Sequence, residues 1–215
     1  MSFIGRSYFP STACKGGRVS KLLQGLQPYE VKYVKIKEAF KRVRGTPITA
    51  AQMKDINNSD GDVVIYAGGK TVVKAYAKDI PKANITKVPS VLVQSRGIID
   101  AIYCDIPFTF KNEMWAYTAD EATTVKYLYY LLKNGIESFR YKASSMGSFP
   151  QISLGDTEDY EIPLPPLHIQ EEIVSILDRF DTLVNDISKG LPAEIEARQK
   201  QYEFYREKLL TFEEV

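Results

Sequence analysis

The sequence predicts an α+β protein, in which a mixed α/β domain is followed by a long helical arm. Short runs of β-branched and aromatic residues with a period of two recur between residues 31 and 110, as they do in half-buried strands. One apolar run after residue 120 has the length of a buried helix. From residue 161 to 212, apolar side chains recur at steps of three and four, which places them on one helical face.

The strand-like runs are bounded by glycine, proline or polar residues. The predicted strands are 31–36, 62–67, 71–76, 90–94, 98–103 and 106–110. Gly68 and Gly69 mark a turn between the second and third of these strands. A buried helix is predicted at 125–132, with Asp120 as its candidate N-cap and Gly135 as its end.

The arm follows a proline-rich entry. Prolines between 163 and 166 hold the chain extended, and Glu171 and Glu172 are predicted in the first helical turn, where the helix dipole favours negative charge. An interruption at 190–192 predicts a kink or short break. The apolar positions of the arm are Ile169, Ile173, Ile176, Leu177, Phe180, Leu183, Val184, Ile187, Ile195, Tyr202, Tyr205 and Leu209.

This apolar stripe has to be covered by another surface. A helical arm from His168 to Phe212 would be about 65 Å long, which is more than one domain needs to close its own core. We therefore expect a partner helix to pack on it. A C-terminal helix folded back on its own domain is the alternative.

Two sequence patterns run through the arm. Residues Ile162 to Leu183 match the pattern I-P-L-P-P-L-x-x-Q-x-x-I-V-x-I-L-D-x-F-D-x-L. Residues Gly190 to Leu210 match the pattern G-L-P-x-E-I-x-x-R-x-x-Q-Y-x-x-Y-R-x-x-L-L. In these patterns the chain resembles the specificity subunits of type I restriction-modification systems. His168 departs from the small or acidic residue expected ahead of the glutamine. The resemblance is much weaker over residues 1–160.

The resemblance implies a variable target-recognition domain at 1–160 and a conserved helical arm at 161–215 for spacing and dimerisation. Full specificity subunits carry two of each, so the chain resembles a half-subunit, and two copies are expected to pair as a homodimer around a two-fold axis. The partners implied are double-stranded DNA, methyltransferase subunits that bind S-adenosylmethionine, and a motor and endonuclease subunit that uses ATP. The chain itself would need no cofactor.

Catalytic parts are missing from the sequence. An adenine methyltransferase would need a glycine motif for its cofactor and an Asn- or Asp-Pro-Pro-aromatic loop, but Pro165-Pro166 is flanked by leucines. A nuclease would need clustered carboxylates, and the acidic residues of 91–160 are scattered. We therefore expect a DNA-recognition subunit without catalytic residues.

Charge is distributed unevenly along the chain. Residues 1–90 carry 16 lysines and arginines against 6 acidic residues, a net charge of +10, whereas 91–160 carry −3 and 161–215 carry −6. A basic N-terminal half beside an acidic arm fits a DNA-binding domain on a protein-binding stalk. Three alternatives to a DNA-binding subunit stay open. The basic half could be a solvated surface without a ligand, or the chain could be a coiled-coil module whose head binds a protein. The chain could also be a silent half-subunit that acts only after recombination.

Cysteine content and hydropathy argue against a zinc protein, a disulfide-rich protein and a membrane protein. Cys14 and Cys104 are far apart and accompany a single histidine, so we expect two reduced thiols rather than a zinc site or a disulfide framework. The sequence has no apolar run of about eighteen residues, as a membrane helix would need, and no signal-peptide core after Met1. A soluble cytoplasmic protein without a membrane partner is expected.

Four segments, each predicted to be a loop, combine donor side chains with small residues that let a backbone approach DNA: 41–47, 68–71, 94–97 and 144–148. The second resembles half of a nucleotide-binding loop, but Val64 stands where that loop needs a glycine, so an ATP site is rejected. A plain hairpin turn or ordinary connections are the alternatives. The predicted DNA-binding residues are Lys41, Arg42, Arg44, Thr46, Lys70, Thr71, Arg96, Ser144, Ser145 and Ser148.

Overall fold

The computed structural model describes residues 31–144 and 150–182, which form β-sheets together with helices, so the predicted α+β class is confirmed. The strands are β1 (Lys32–Lys35), β2 (Lys41–Val43), β3 (Val63–Tyr66), β4 (Val72–Ala75), β5 (Ser90–Gln94), β6 (Asp100–Cys104), β7 (Phe108–Phe110), β8 (Trp115–Thr118) and β9 (Glu161–Leu164). The α-helices are α1 (Ile36–Ala39), α2 (Ala50–Asp55), α3 (Ala122–Ser144), α4 (Leu154–Glu158) and α5, described over 167–182.

The strands belong to three sheets. A four-stranded sheet has the order β2-β8-β5-β6, and all its neighbouring strands are antiparallel. A three-stranded sheet has the order β4-β3-β7, in which β3 runs antiparallel to β4 and parallel to β7. Strands β1 and β9 form a two-stranded antiparallel sheet with Lys32 opposite Leu164. The segment that leads into α5 is thereby paired with the start of the described chain.

Alternate residues of the central strands serve different cores. In β5, Val91 and Val93 pack in the cluster that contains the buried residues of α3, whereas Leu92 packs with Phe108 and other residues of the three-stranded sheet. In β3, Ile65 belongs to a third cluster that includes α2. Strands buried on both faces read as continuous apolar runs, which is why β3 and β5 are recognisable in the sequence.

Helix α3 supplies the largest helical part of the core. Val125, Leu128, Leu132 and Phe139 recur at helical spacing and are at most 3% exposed. Burying an aliphatic or phenyl side chain of this size stabilises the folded state by about 1.5–3 kcal/mol. The face of α3 that carries these residues is therefore a principal contributor to the stability of this part of the chain.

All six predicted strands correspond to observed strands, namely β1 and β3 to β7. The prediction missed β2, β8 and β9 and the short helices α1, α2 and α4. Strand β2 has only three residues, two of them charged, so it carries no alternating apolar signal. Helix α2 has a clear start, because Thr49 and Gln52 form a capping box in which each side chain accepts a hydrogen bond from the other residue's backbone N–H.

The predicted end of α3 at Gly135 is wrong. The helix begins at Ala122 and continues through Gly135 to Ser144. Gly135 lies under the side chain of Tyr160, and a Cβ atom at this position would stand 2.7 Å from the Tyr160 hydroxyl. The glycine therefore allows a close approach and does not end the helix. Asp120 lies before the helix and binds the Lys41 Nζ at 2.6 Å.

Helix α5 begins at residue 167, one residue before the predicted start at His168, so Glu171 and Glu172 lie in its second turn and not in its first. The prolines do hold the preceding chain extended, as β9. The amide Nε2 of Gln170 donates to the Pro165 carbonyl at 2.8 Å, and Ile169 N donates to the Pro166 carbonyl. These bonds fix the turn between β9 and α5.

The chain divides into two compact units, Met1–Glu171 and Glu172–Val215. The functional boundary after residue 160 stays a prediction. Among the described residues, no helix is long and apolar enough to cross a membrane. Cys104 is buried with a free thiol, and Cys14 lies outside the described residues. The arm positions that also lie outside them are Leu183, Val184, Ile187, Ile195, Tyr202, Tyr205 and Leu209.

Candidate nucleic-acid interface

The segment after β2 is fixed to the end of β7. Thr46 N donates to the Phe110 carbonyl at 2.7 Å, and the hydroxyls of Thr46 and Thr109 are 2.7 Å apart. A Cβ atom at Gly45 would collide with the Phe110 carbonyl oxygen, so only glycine allows this approach. Thr46 is fully buried and also accepts from Asn84 N at 2.9 Å. Its predicted contact with DNA is therefore corrected: the Thr46 hydroxyl holds the segment in place.

The cations of this first segment differ in their surroundings. The prediction of a loop over 41–47 is wrong for residues 41–43, which form strand β2. Lys41 pairs with Asp120, and Arg42 Nη1 lies 3.2 Å from the Glu158 carboxylate. Arg44 is exposed and makes no ion pair with any described residue. Arg44 is thus the cation of this segment whose charge is most available to a ligand.

The second segment is the β3–β4 hairpin, with Gly68 and Gly69 in the predicted turn. Gly69 has a φ of 73°, a left-handed conformation that suits glycine. Gln94 Nε2 donates to the Gly69 carbonyl at 2.8 Å and so ties the hairpin to the end of β5. Lys70 and Thr71 are exposed, and Lys70 has no ion pair among the described residues. The hairpin therefore presents a cation and a hydroxyl at the surface.

The third segment pairs with residues 150 and 151, which follow the fourth segment in the sequence. The chain at Arg96 bridges to Gln151, and Gly97 N donates to the Pro150 carbonyl at 2.9 Å. Arg96 is exposed. Ser144 is the last residue of α3, whereas Ser145 and Ser148 lie outside the described residues. The Arg96 segment is thus paired with the residues that directly follow the predicted serine-rich segment.

Two adjacent grooves bring the first three segments together. The first groove, of about 890 Å³, lies between α2, the hairpin and the chain at Arg96. The second groove, of about 610 Å³, includes Arg44 and extends to Leu154 at the start of α4. Glu113 lines both grooves. Segments far apart in sequence therefore meet on one surface.

The lining of the grooves is mainly cationic among its charged groups. Lys54, Arg96 and Lys111 line the first groove, and Arg42 and Arg44 line the second. Cations in a groove are suited to bind phosphate oxygens and, in the case of arginine, the O6 and N7 atoms of guanine. The arrangement can therefore both hold a nucleic-acid backbone and contact base edges.

A buried hydrogen-bond network supports the second groove from below. The Trp115 indole donates to the Thr157 hydroxyl at 2.8 Å, and the Tyr117 hydroxyl lies 2.7 Å from the same oxygen. Burial raises the pKa of Tyr117 to about 12, so this phenol stays neutral near pH 7. The network joins α4 to β8. It fixes α4 beside Arg42, which pairs with Glu158 of that helix.

Sequence reasoning missed several residues that line the grooves: Lys54, Asn84, Lys111, Asn112 and Glu113. The triplet Lys111-Asn112-Glu113 is the polar turn between β7 and β8. A polar triplet between two apolar segments is a weak signal, because most such turns only connect strands. Its place beside Gly45 and Arg96 depends on pairings between distant strands.

The apolar positions of α5 are partly covered in the described part of the helix. Ile169, Ile173, Ile176 and Leu177 are half-buried, whereas Phe180 is 57% exposed. Apolar side chains therefore remain partly accessible along the predicted helical face.

The family described as the type I restriction modification DNA specificity domain matches residues 28–197. The chain belongs to this family. It is 36% identical over 148 residues to the EcoR124I/EcoR124II specificity subunit of Escherichia coli, a match that covers 68% of this chain and 36% of that subunit. The family fits the prediction of a DNA-recognition rather than a catalytic component.

Solved structures show the same fold. The S subunit of a type I restriction-modification system from M. genitalium superposes with a TM-score of 0.63 at 18% identity, over 85% of this chain and 47% of that one. A chain from a study of complex assembly and conformational transition of the type I R-M system superposes with a TM-score of 0.57 at 20% identity. That match covers 91% of this chain and 46% of the other one. The chain thus spans less than half the length of these relatives.

Proposed function

We propose that the chain supplies DNA sequence specificity to a type I restriction-modification complex. The observation that carries this proposal is that Arg44 and Arg96 line adjacent grooves, next to the hairpin that exposes Lys70, in a chain that belongs to a DNA specificity family. Arg44 and Lys70 neutralise phosphates, which supplies affinity that does not depend on sequence. Arg96 and the groove walls contact base edges.

The recognition domain, residues 1–160, reads one half of a bipartite site. Residues 161–215 form an arm that pairs with the arm of a second copy. The half-buried Ile173 and Leu177 and the exposed Phe180 are the part of its apolar face that supports this pairing. An isologous pair places two identical reading surfaces around a two-fold axis, so that the complete target is a gapped palindrome.

The other subunits carry the chemistry. Methyltransferase subunits bound to this chain flip an adenine out of the duplex and methylate its N6 atom, and a motor subunit cleaves DNA. The chain contributes orientation and choice of site to both reactions. The proposal that this chain binds methyltransferase and motor subunits is supported by its similarity to a chain from a study of complex assembly in the type I R-M system.

The test is to purify the full chain together with a methyltransferase subunit and to map methylated adenines in DNA treated with the complex. We expect methylation within one sequence motif that requires this chain. The methyltransferase subunit alone is the control. A complex that methylates the same adenines with and without the chain would contradict the proposal, as would failure of the two proteins to associate.

A further inference from the structure

Glu113 is the single acidic residue among the described residues that line the two grooves. Every other ionisable side chain of their lining is a lysine or an arginine. Glu113 contributes to both grooves and so stands at the wall that they share. An acid at this place lowers the affinity of the surface for phosphate, since like charges repel. Its presence inside a cationic surface therefore calls for a specific use.

The backbone of Glu113 is held in a defined position. The Ser95 hydroxyl donates to the Glu113 carbonyl at 2.5 Å. The turn that carries the residue is closed by a hydrogen bond from Met114 N to the Lys111 carbonyl, and it is joined to β3 by one from Lys111 N to the Tyr66 carbonyl, both of 3.0 Å. The main chain on either side is thus tied to two sheets. Such support is what a side chain that recognises a ligand by geometry requires.

One oxygen of the Glu113 carboxylate is in an ion pair. Lys111 Nζ lies 3.1 Å from Oε1, and the side chain of Glu113 is 29% exposed. The second oxygen, Oε2, has no hydrogen bond to any described residue. One oxygen is therefore oriented by the lysine, while the other remains an available acceptor on a residue that lines both grooves.

A fixed acceptor distinguishes the bases in the major groove. Cytosine presents the N4 amino group and adenine the N6 amino group, both of which can donate to a carboxylate. Guanine O6 and thymine O4 are acceptors, and opposed to a carboxylate they would leave two acceptors facing each other. An acid at this position would therefore select an amino-bearing base and also reject a keto base.

We propose that Glu113 reads one base of the DNA target by accepting a hydrogen bond from an exocyclic amino group, cytosine N4 or adenine N6. This inference rests on the proposed DNA-specificity function. The competing structural role is an ion pair that only holds Lys111 in its turn. The two roles differ in what the base preference does when the side chain is changed.

The experiment is a selection of bound duplexes from a pool with randomised bases, using the full chain with its methyltransferase subunit. Wild type, Glu113→Gln and Glu113→Asp are compared. Glu113→Gln gives the keto bases a donor, and Glu113→Asp keeps the charge but shortens the reach. Both are expected to lose preference by roughly tenfold at the same one position of each half-site, while the other positions stay unchanged. Whether cytosine or adenine is enriched there in the wild type identifies the amino group.

Glu121→Gln is the matched control, because this exposed acid precedes α3 and lines neither groove. It removes the same charge and should leave every preference unchanged. A melting experiment on each variant shows whether it is folded. If Glu113→Gln does not fold, Glu113→Asp, which can still pair with Lys111, provides the test.

Two outcomes would overturn the inference alone. One is a pair of folded Glu113 variants with wild-type preferences at every position, and the other is a uniform rise in affinity for all sequences in Glu113→Gln, which would show that the carboxylate acts by its charge. A wild-type complex that binds every duplex equally would overturn the proposed function and this inference with it. The measurement on the wild-type complex therefore distinguishes failure of the proposed function from failure of this inference.

Discussion

The hydroxyl oxygen of Tyr160 lies 2.7 Å from the position that a Cβ atom on Gly135 would occupy. The Tyr160 ring packs on Phe139 of the same helix, with 4.9 Å between ring centroids. Gly135 lies in the interior of α3, where a glycine costs roughly 0.5–1 kcal/mol of helix stability relative to alanine. The close packing of Tyr160 against the helix explains why a glycine is found there.

Gly135→Ala is therefore expected to destabilise the protein by about 1–3 kcal/mol, although alanine favours helix more than glycine does. The added methyl group must displace the Tyr160 hydroxyl. Tyr160→Phe removes that hydroxyl, so Gly135→Ala/Tyr160→Phe should be more stable than Gly135→Ala alone. Urea unfolding of the wild type, both single variants and the double variant measures the coupling. A stabilising Gly135→Ala would show that the approach of Tyr160 is unimportant.

Contacts between distant residues explain where sequence reasoning stops. The apolar periodicity of α3 predicts a helix, but the residue that meets Gly135 lies outside it, so the helix was ended too early. Strands β3 and β5 were predicted because both of their faces are buried. Strands β2 and β8 were missed because their short sequences carry little pattern and because pairing with strands distant in the sequence determines them.

The candidate site shows the same limit. Its glycine and arginine segments could be selected from residue types alone, and Arg44 and Arg96 line grooves that meet. Nothing in the sequence places Glu113 between these segments, because that position depends on the turn from β7 to β8. The burial of Thr46 was equally invisible, since its hydroxyl partner, Thr109, is 63 residues away in the chain.

Arg44 and Arg42 are expected to differ in their effect on DNA binding. Arg44→Ala should reduce the slope of log affinity against log salt by about 0.9, as expected for one lost phosphate contact. Arg42→Ala should change the slope less, because Glu158 already pairs with Arg42, and it should lower stability by about 0.2–1 kcal/mol. The measurement is a salt titration of DNA affinity by fluorescence anisotropy.

Lys87→Ala is the matched control for this comparison, because Lys87 is exposed and lines neither groove. Equal losses of slope in all three variants would indicate that total charge, and not the grooves, determines binding.

Asp156 should make the protein sensitive to acid. Burial opposes its ionisation, but hydrogen bonds from Ser153 and Lys142 outweigh this effect and hold the pKa of Asp156 below its usual value. A pKa lowered by folding stabilises the protein above the unfolded-state pKa, and this contribution is lost as pH falls through the folded-state pKa. Its carboxylate and the Ser153 hydroxyl form the capping box of α4.

Asp156→Asn should therefore lower the free energy of unfolding by about 1 kcal/mol at about pH 7, and by less at about pH 2. Urea unfolding at both pH values measures the difference. Asp60→Asn, an exposed substitution outside any helix, serves as the control. A deficit of the same size at both pH values would mean that the carboxylate charge is not involved.

The proposed arm pairing predicts that Ile173→Asp/Leu177→Asp is monomeric. Each of these aliphatic side chains contributes about 1.5–3 kcal/mol when it is buried between helices, and two buried carboxylates would add the cost of desolvation. Light scattering measures the mass in solution. Arg179→Asp is the control, because this exposed residue lies on a different face of α5 and its substitution should leave the dimer intact. A wild-type mass in the double variant would reject this interface.

The symmetry of the proposed dimer makes a prediction about the DNA target. Two identical recognition domains around a two-fold axis present the same surface to opposite strands, so the target should consist of two inverted half-sites with an unread spacer. Each helical turn removed from the arm shortens it by about 5.4 Å and should shorten the spacer by one or two base pairs, while the half-sites stay the same.

This prediction is checked by sequencing the methylated adenines that the reconstituted complex makes, first with the wild-type chain and then with an arm that lacks one turn. A substitution that changes base reading, Glu113→Gln, is the useful comparison, because it should alter both half-sites equally and leave the spacer unchanged. Symmetric change follows from symmetry itself, since one substitution appears in both copies. An asymmetric wild-type target, or a shortened arm that alters the half-sites and keeps the spacer, would show that the chain does not act as a symmetric pair.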